Sequence, residues 1–241
     1  KYAVGVANGT DALALALRVA GIKEGEVIVP INSFIASAGA IKQAGATPVF
    51  VDVKEDYLIN PDLIEEAITD KTRAIMPVHL TGKPCDMERI NEIAERRSLY
   101  VIEDAAQAIG AKINGTHVGN FSMGGGFSFH PLKNVNGWGD SGMIVTDNRE
   151  IAERIKRLRN QGLEGRDVWM EFGHNHRMQP IQAFVINHLM PYADNINNRR
   201  INNALFYDDA LKNVEEIKIP KREDFIKQVY HTFVIQAERR D

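Results

Sequence analysis

The chain has little cysteine, no long apolar run and no excess of one charge. Cys85 is its single cysteine, which excludes an internal disulfide and is typical of a reducing compartment. Its 29 Lys and Arg stand against 32 Asp and Glu, so no basic stripe of the kind that binds nucleic acid is present. Neither a bilayer-spanning run nor a signal-peptide pattern occurs. We therefore expect a cytoplasmic protein with no nucleic-acid or membrane partner.

Both ends of the sequence read as strands. Residues 2–6 and 232–236 have the apolar and β-branched composition of strands. A strand at a chain terminus is unusual unless neighbouring sequence ties it down. The sequence therefore predicts that these 241 residues are the middle of a longer protein.

Apolar strands alternate with helical patterns along most of the chain. Strands are predicted at 2–6, 26–29, 48–53, 74–78, 100–103, 127–129 and 143–145. Helices are predicted at 12–20, 33–44 with Ser33 as cap, 61–68, 86–97, 151–160, 179–188 and 194–211. The alternation predicts a three-layer α/β/α fold with a mostly parallel sheet. We place a boundary near Pro191, between a large α/β domain (1–190) and the start of a smaller α+β domain (191–241).

Residues 8–11 (Asn-Gly-Thr-Asp) form a small-residue turn between a strand and a helix. Such a turn leaves backbone N–H groups free to bind a phosphate at the helix N-terminus. The same pattern can be a simple helix cap made by Thr10 or Asp11, and taken alone it favours the cap.

Asp104 ends an apolar strand, where ligands bind in open α/β sheets. A carboxylate there can face a pyridine nitrogen and keep it protonated, which makes the ring an electron sink. A metal ligand and a helix cap are equally compatible with its position.

Lys133 precedes a glycine-rich loop, with Pro131, Leu132 and Trp138 beside it in sequence. We expect these neighbours to limit its solvation, which lowers the pKa of a lysine and suits Schiff-base chemistry. Ser128, five residues earlier on the same strand, could donate to a phosphate. The alternative is a loop lysine that extends into solvent.

In combination these segments resemble the fold type I enzymes that use pyridoxal 5′-phosphate (PLP), and more narrowly the DegT-type sugar aminotransferases. The matching stretches are 8–13, 44–52, 77–82, 102–107 and 127–134. Residues 173–178 match a further family segment that normally reads Asn-Tyr-Arg-Met. The resemblance runs from residue 3 to about residue 236.

The resemblance implies a role for each matching residue. Lys133 would hold PLP as a Schiff base and later move the proton between cofactor and substrate, and Asp104 would pair with the ring nitrogen. Gln107 would lie near the phenolate oxygen of the cofactor, and Phe34 would stack on its ring. Gly9, Thr10 and Ser128 would bind its phosphate. Asn175 would reach the phosphate of a neighbouring subunit, so the sites of a homodimer would be shared.

The implied reaction is transfer of an amino group from glutamate or glutamine to a keto-sugar, expected to be nucleotide-linked, in amino-sugar or polysaccharide biosynthesis. A cyclitol (inosose) aminotransferase would share the same cofactor residues. In PLP-dependent sugar dehydratases of this family a histidine typically replaces the lysine, so Lys133 argues against that reaction. A degenerate PLP-fold regulator is the third alternative, and the intact Lys133, Asp104 and Gln107 argue against it.

Departures from the family pattern concern the substrate side. Residues 122–126 replace the usual Gly-Asp-x-Gly-x, and Trp138 stands where relatives carry a small residue. The family's N-terminal helix and most of its small domain have no counterpart, so we expect the isolated chain to lack an element that closes the site.

Three histidines and the cysteine are not assigned to chemistry. His79, His117 and His174 have no carboxylate or cysteine at ligand spacing and are interpreted as structural. Cys85 has no nearby base in sequence and is interpreted as a plain core or surface cysteine. No metal site is predicted.

Overall fold

A seven-stranded sheet is the centre of the computed structural model, which describes residues 2–238. Its strands are β1 (Tyr2–Val6), β2 (Glu26–Pro30), β3 (Thr47–Val51), β4 (Thr72–Ile75), β5 (Tyr100–Asp104), β6 (Gly124–Ser128) and β7 (Gly142–Thr146). They lie in the order β1-β7-β6-β5-β4-β2-β3. Only β7 runs against the others, because it pairs antiparallel with both β6 and β1. The predicted mostly parallel sheet is confirmed.

Six α-helices accompany the sheet in the described residues. They are α1 (Gly9–Val19), α2 (Ala36–Ala44), α3 (Met87–Arg97), α4 (Arg149–Leu158), α5 (Pro180–Leu189) and α6 (Ala193–Leu211). The side chains of Asn8, Asp86 and Asn148 cap α1, α3 and α4 by accepting from backbone N–H groups of the first turn. No helix in this part of the chain is both long enough and apolar enough to cross a membrane.

Alternate residues of the central strands point to opposite layers, which explains the continuous apolar runs. Val27 and Val29 of β2 pack with α1 and α2, including Leu13, Leu17 and Ile41. Ile28, between them, packs on the other face with α3, where Ile90 and Ile93 are buried. Helices α1 and α4 extend the first layer over β1 and β7. The three-layer α/β/α architecture predicted from the sequence is therefore confirmed.

Three predicted elements differ from those observed. Helix α2 begins at Ala36 with no side-chain cap, so Ser33 is not its cap. The predicted helix at 61–68 is a pair of short 3-10 turns, Pro61–Leu63 and Glu65–Ala67, as expected of a segment too short to propagate an α-helix. The predicted strand at 232–236 is reduced to Gln236–Ala237, which pairs with Ile217–Lys218. Residues 232–235 join no ladder in the described structure.

Several two-residue strands were not predicted from the sequence, and one of them pairs the segment after α6 with the segment after β5. Ile226–Lys227 pairs with Lys112–Ile113, which pairs in turn with Thr116–His117. Leu163–Glu164 and Val168–Trp169 form a further two-residue pair. Pro191 lies in a 3-10 turn, Met190–Tyr192, between α5 and α6. The domain boundary placed there stays a prediction, and residues 239–241 of the second domain lie outside the described residues.

Candidate active site

A cavity of about 560 Å³ opens where β1, β2, β5 and β6 end. Seven of the eight predicted site residues line it, although they are far apart in the sequence: Gly9, Thr10, Phe34, Asp104, Gln107, Ser128 and Lys133. The fold brings them together because the parallel strands all present their carboxyl ends at the same edge of the sheet. The arrangement has an anion-binding end, a buried carboxyl group and an amine.

The N-terminus of α1 forms the anion-binding end. Asn8, rather than Thr10 or Asp11, is the cap, and its side chain accepts from the amide of Asp11 at 2.8 Å. The helix therefore starts earlier than predicted, at Gly9, and the backbone amides of Gly9 and Thr10 have no partner among residues 2–238. Free amides at a helix N-terminus attract anions through both hydrogen bonding and the helix dipole.

Close approach of Gly9 to Ser128 completes this end of the cavity. A Cβ atom at residue 9 would lie 2.8 Å from the Ser128 Cβ, so glycine is required for β6 to come this close. The Ser128 hydroxyl accepts from the His130 amide at 3.3 Å and keeps its own proton available to donate. The end therefore offers amide and hydroxyl donors to an anion such as a phosphate.

Asp104 is buried at the base of the cavity. Its carboxylate accepts from the Ser37 hydroxyl at 2.7 Å and from the Ala106 amide at 3.1 Å. Burial raises the pKa of Asp104, and these hydrogen bonds together with the nearby Lys133 offset only part of that rise. The carboxylate is thus a buried charge with weak compensation, and a cation bound beside it would stabilise it.

Lys133 lies in the loop after β6 and is half-buried. Burial lowers the pKa of its amine, while attraction to Asp104 works in the opposite direction. Of the neighbours expected to limit its solvation, Leu132 lines the cavity with Lys133 although it is 74% exposed. Trp138 is 78% exposed and is not part of the cavity wall. Residues from several other elements also line the cavity around the lysine, including Asp104 and His231.

Gln107 and Phe34 lie at the sides of the cavity. The Gln107 Oε1 accepts from the Thr81 amide at 2.7 Å, which assigns the amide orientation and leaves its NH₂ group free to donate. Phe34 is 68% exposed and offers an uncovered ring face beside the cavity. Asn175 does not line the cavity; it is exposed and bridges to Asn160.

Two further residues of the site were missed by sequence reasoning. Ser37 lies three positions after Phe34, on the first turn of α2, and a helical spacing could have indicated it. His231 also lines the cavity, and burial together with the charges of Lys133 and Arg200 lowers its pKa to about 4. No local pattern marks His231, because its position depends entirely on how residues 229–231 dock.

His79 has a carboxylate partner that its sequence spacing did not reveal. Its Nδ1 accepts from the Cys85 amide at 3.0 Å, so Nε2 carries the proton and donates to Glu103 Oε2 at 3.0 Å. Both side chains are fully buried behind the cavity. Cys85 is also buried and bonds to the Val78 carbonyl. No cluster of three or more metal-ligating side chains occurs in the described part of the chain.

The fold has three layers around a mostly parallel sheet. At the carboxyl edge of that sheet lie an anion-binding site, a buried carboxyl group and a lysine. This combination is typical of the large domain of the fold type I transferases. The family model of the DegT/DnrJ/EryC1/StrS aminotransferase family matches residues 1–241. The chain belongs to this family.

Individual relatives agree with the family match. The chain is 43% identical to a dTDP-3-amino-3,4,6-trideoxy-alpha-D-glucose transaminase of Streptomyces venezuelae, over 100% of this chain and 64% of the relative. The crystal structure of S. venezuelae DesV in complex with a ketimine intermediate superimposes with a TM-score of 0.97 at 42% identity, covering 100% of this chain and 65% of the other. NtdA from Bacillus subtilis with bound cofactor PMP gives 0.90 at 36% identity, covering 99% and 55%. The chain thus spans about 65% of the length of DesV.

Proposed function

We propose that this chain is the cofactor-binding part of a PLP-dependent sugar aminotransferase. The observation that carries the proposal is the cavity at the sheet edge, which combines an anion-binding helix end, a buried carboxyl and a lysine of lowered pKa. A phosphate, a protonated ring nitrogen and an aldehyde are the three features of PLP that these groups would meet.

The donor set fits this cofactor. The free amides of Gly9 and Thr10, with the Ser128 hydroxyl, suit a phosphate, and the free NH₂ of Gln107 suits an anionic ring oxygen. The cradle depends on Gly9, because a Cβ there would collide with Ser128. When bound, PLP supplies an electron-accepting ring that stabilises negative charge on the substrate carbon.

Asp104 would hold a proton on the ring nitrogen. Its carboxylate lines the cavity and is fixed in orientation, because Ser37 bonds to one oxygen and the Ala106 amide to the other. In this site the charge of Asp104 would be compensated by the protonated ring. The same pairing keeps the ring cationic and therefore strongly electron-accepting.

Lys133 would hold the cofactor through Nζ and act as the base. Because burial lowers its pKa, a larger fraction of the amine is neutral near pH 7 than for a solvated lysine. A neutral amine can attack an aldehyde and can remove a proton from the substrate carbon and return it. The loop after β6 places this amine in the wall of the same cavity as Asp104, whose charge acts on it.

The substrate proposed is a keto-sugar, nucleotide-linked, with glutamate or glutamine as amino donor. The similarity to the S. venezuelae dTDP-3-amino-3,4,6-trideoxy-alpha-D-glucose transaminase supports both the sugar and the nucleotide. An inosose aminotransferase would use the same cofactor residues, and a panel of keto-sugars and inososes separates the two. We also propose a cytoplasmic homodimer, with Asn175 reaching the partner's site, and a second domain that begins near Pro191.

The proposal is tested in the full-length protein loaded with PLP. We expect a visible absorbance band from the bound cofactor, and loss of both the band and transamination in Lys133→Ala. Lys42→Ala, which removes an exposed lysine of α2, is the matched control and should behave as wild type. A Lys133→Ala protein that still transaminates would contradict the assignment.

A further inference from the structure

Residues 229–231 cross the cavity edge in a fully anchored conformation. The Val229 amide donates to the Gly82 carbonyl at 3.0 Å, and the His231 amide donates to the Thr81 carbonyl at 2.9 Å. The Arg200 guanidinium of α6 donates to the carbonyls of Tyr230 and His231 at 3.1 and 3.2 Å. This bonding holds Tyr230 in the left-handed region, at φ 47°, which is uncommon for a residue other than glycine.

The conformation directs His231 into the cavity that contains Lys133. The Nδ1 atom of His231 is buried and has no hydrogen-bond partner within residues 2–238. Burial, reinforced by the charges of Lys133 and Arg200, lowers the pKa of this imidazole to about 4 and so keeps it neutral at physiological pH. Two polar groups of the cavity wall, the Lys133 amine and the His231 imidazole, thus come from segments far apart in the chain.

One side chain joins these two segments directly. Asn134, the residue after Lys133, is buried, and its Nδ2 donates to the Val229 carbonyl at 2.9 Å. The same Nδ2 donates to Oδ1 of Asn197 at 2.8 Å. Asn197 is fully buried on α6, and its own Nδ2 donates to the Ile109 carbonyl at 2.9 Å. We call Asn134 and Asn197, with these two carbonyls, the amide clamp.

The two carbonyls determine the orientation of both amides. Backbone carbonyls only accept, so each asparagine must present its NH₂ group to the carbonyl that it contacts. Asn134 then uses both of its N–H bonds, and the Asn197 carbonyl can accept one of them. Gly110 makes room for this arrangement, because a Cβ there would lie 2.5 Å from Asn197 Nδ2.

We propose that Asn134 and Asn197 are positioning residues, whose amide clamp fixes the Lys133 loop and residues 229–231 against each other. The clamp thereby sets the relative positions of the Lys133 amine and the His231 imidazole, which both line the cavity. Asn134 Oδ1 is buried without a partner in the described residues, so the side chain is held by the bonds that it donates. The effect of the clamp on catalysis rests on the proposed function, whereas the hydrogen bonds of the clamp are independent of it.

The test measures the Lys133 amine without the cofactor. In cofactor-free full-length protein, competitive acylation read by mass spectrometry across a pH series reports the pKa of Lys133. The charged or titratable groups that act on this amine are Asp104 at the end of β5 and His231 on the docked segment. In wild type we expect the midpoint to lie below the ordinary lysine value of about 10.4.

Asn197→Leu removes the donor to Ile109 and the acceptor of Asn134 while keeping the same branching and number of side-chain heavy atoms. We expect the Lys133 midpoint to rise towards about 10.4 in this variant, because the released loop exposes the amine. Asn198→Leu, the next residue on α6 and exposed, is the matched control and should leave the midpoint at the wild-type value. A merely less stable protein measured well below its melting temperature would show no such shift.

Two further measurements decide the matter if Asn197→Leu fails to fold. Asn134→Ser shortens the side chain so that it cannot reach both acceptors, and Asn136→Ser is its control. We expect the Lys133 midpoint to rise in Asn134→Ser and to stay at the wild-type value in Asn136→Ser. In wild type, the clamp predicts that the side-chain NH₂ protons of Asn134 exchange with solvent only as the protein unfolds. Folded variants with an unchanged Lys133 midpoint, or fast exchange of those protons, would overturn the proposal.

Holoenzyme kinetics separate this proposal from the proposed function. If both hold, Asn197→Leu lowers kcat by about 100-fold with a smaller change in KM, as expected for a misplaced reactive group. If wild type shows no transaminase activity but the labelling midpoint still shifts, the clamp stands and the proposed function fails.

Discussion

At the scale of single residues, Asp104 shows a conflict between stability and function. Its carboxyl is buried, and its pKa is raised because burial outweighs the two hydrogen bonds that it accepts. A buried charge of this kind destabilises the cofactor-free protein and is useful only when a cation faces it.

Replacing Asp104 by Asn tests this conflict through pH. A raised folded pKa means that wild-type stability falls as pH rises from about 3.9, the unfolded value, through the higher folded value. Asparagine does not titrate and can still bond to Ser37 and the Ala106 amide. At pH 8 we expect the cofactor-free variant to have a higher melting temperature than wild type, by about 2–4 °C for each kcal/mol by which the substitution stabilises the fold. Near pH 4 we expect the two melting temperatures to converge.

The same variant should bind PLP more weakly, as measured by cofactor titration followed by absorbance. Ser33→Ala, outside the cavity wall, serves as a control for both measurements. An Asp104→Asn protein that is less stable than wild type at pH 8, or that binds PLP equally well, would contradict the assigned role.

Gly9 allows a second test at the residue scale. In Gly9→Ala the new methyl group would meet the Ser128 Cβ at 2.8 Å, so α1 and β6 must separate and the anion-binding end must widen. We expect PLP affinity to fall by at least about tenfold, equivalent to about 1.4 kcal/mol. Binding of inorganic phosphate to the cofactor-free protein, followed calorimetrically, should weaken as well.

Gly39→Ala is the matched control for this change. Gly39 lies within α2, and a Cβ there would meet nothing within 4 Å. Alanine favours a helix over glycine by about 1 kcal/mol, so the control should be at least as stable as wild type and bind PLP normally. Equal losses of affinity in both variants would show that the Gly9 contact has no special role.

At the scale of elements, Glu103 of β5 joins this strand to His79 and to the segment 119–122. Its carboxylate accepts from the His79 ring at 3.0 Å, the Gly119 amide at 2.6 Å, the Phe121 amide at 3.0 Å and the Ser122 hydroxyl at 2.8 Å. Burial alone would raise the pKa of Glu103, but these hydrogen bonds outweigh it and hold the pKa below its ordinary value. The residue next to Asp104 is therefore a satisfied buried charge.

Glu103→Gln should destabilise the fold by about 3 kcal/mol, because an amide cannot accept from all four donors and leaves at least one of them buried and unpaired. A lowered folded pKa contributes stability above about pH 4.3 that is lost as pH falls through the folded value. The difference between wild type and variant in denaturant unfolding should therefore shrink below about pH 4.

Glu95→Gln, an exposed change on α3, should have no measurable effect and controls for charge removal. A Glu103→Gln protein as stable as wild type at pH 7 would show that the network contributes no net stability.

At the scale of the whole molecule, the proposed homodimer makes a prediction about mixtures. Asn175 is exposed and outside the cavity of its own chain, as a residue that serves a partner would be. If the sites are shared, Lys133→Ala and Asn175→Asp each disable both sites of their own homodimer. A mixed dimer would then have one intact site, because the intact Lys133 and Asn175 meet there.

Full-length Lys133→Ala and Asn175→Asp proteins, unfolded together and refolded, should therefore recover up to about a quarter of wild-type transamination. Each protein refolded alone should stay inactive, and light scattering should report dimers in every sample. Recovery that is absent although mixed dimers form would place Asn175 outside the shared site.

The sequence by itself determined the layers and the outline of the cavity. Uninterrupted apolar strands between amphipathic helices require burial on both faces, and capping residues such as Asn8 and Asp86 start helices through bonds to their own neighbours. Parallel strands then place residues such as Asp104 and Ser128 at one edge, so local spacing with the family resemblance sufficed to predict their proximity.

Tertiary structure alone decided which long-range partners each polar group finds. Trp138 is close to Lys133 in sequence yet is exposed and outside the cavity wall. Asn197 of α6 and His231 of the later segment reach the same region from far along the chain. His79 lacked any carboxylate at a recognisable spacing and proved to be paired with Glu103. The physical reason is that a buried polar group needs a hydrogen-bond partner within about 3 Å. Packing of the elements decides which donor or acceptor comes that close, whatever its distance along the sequence.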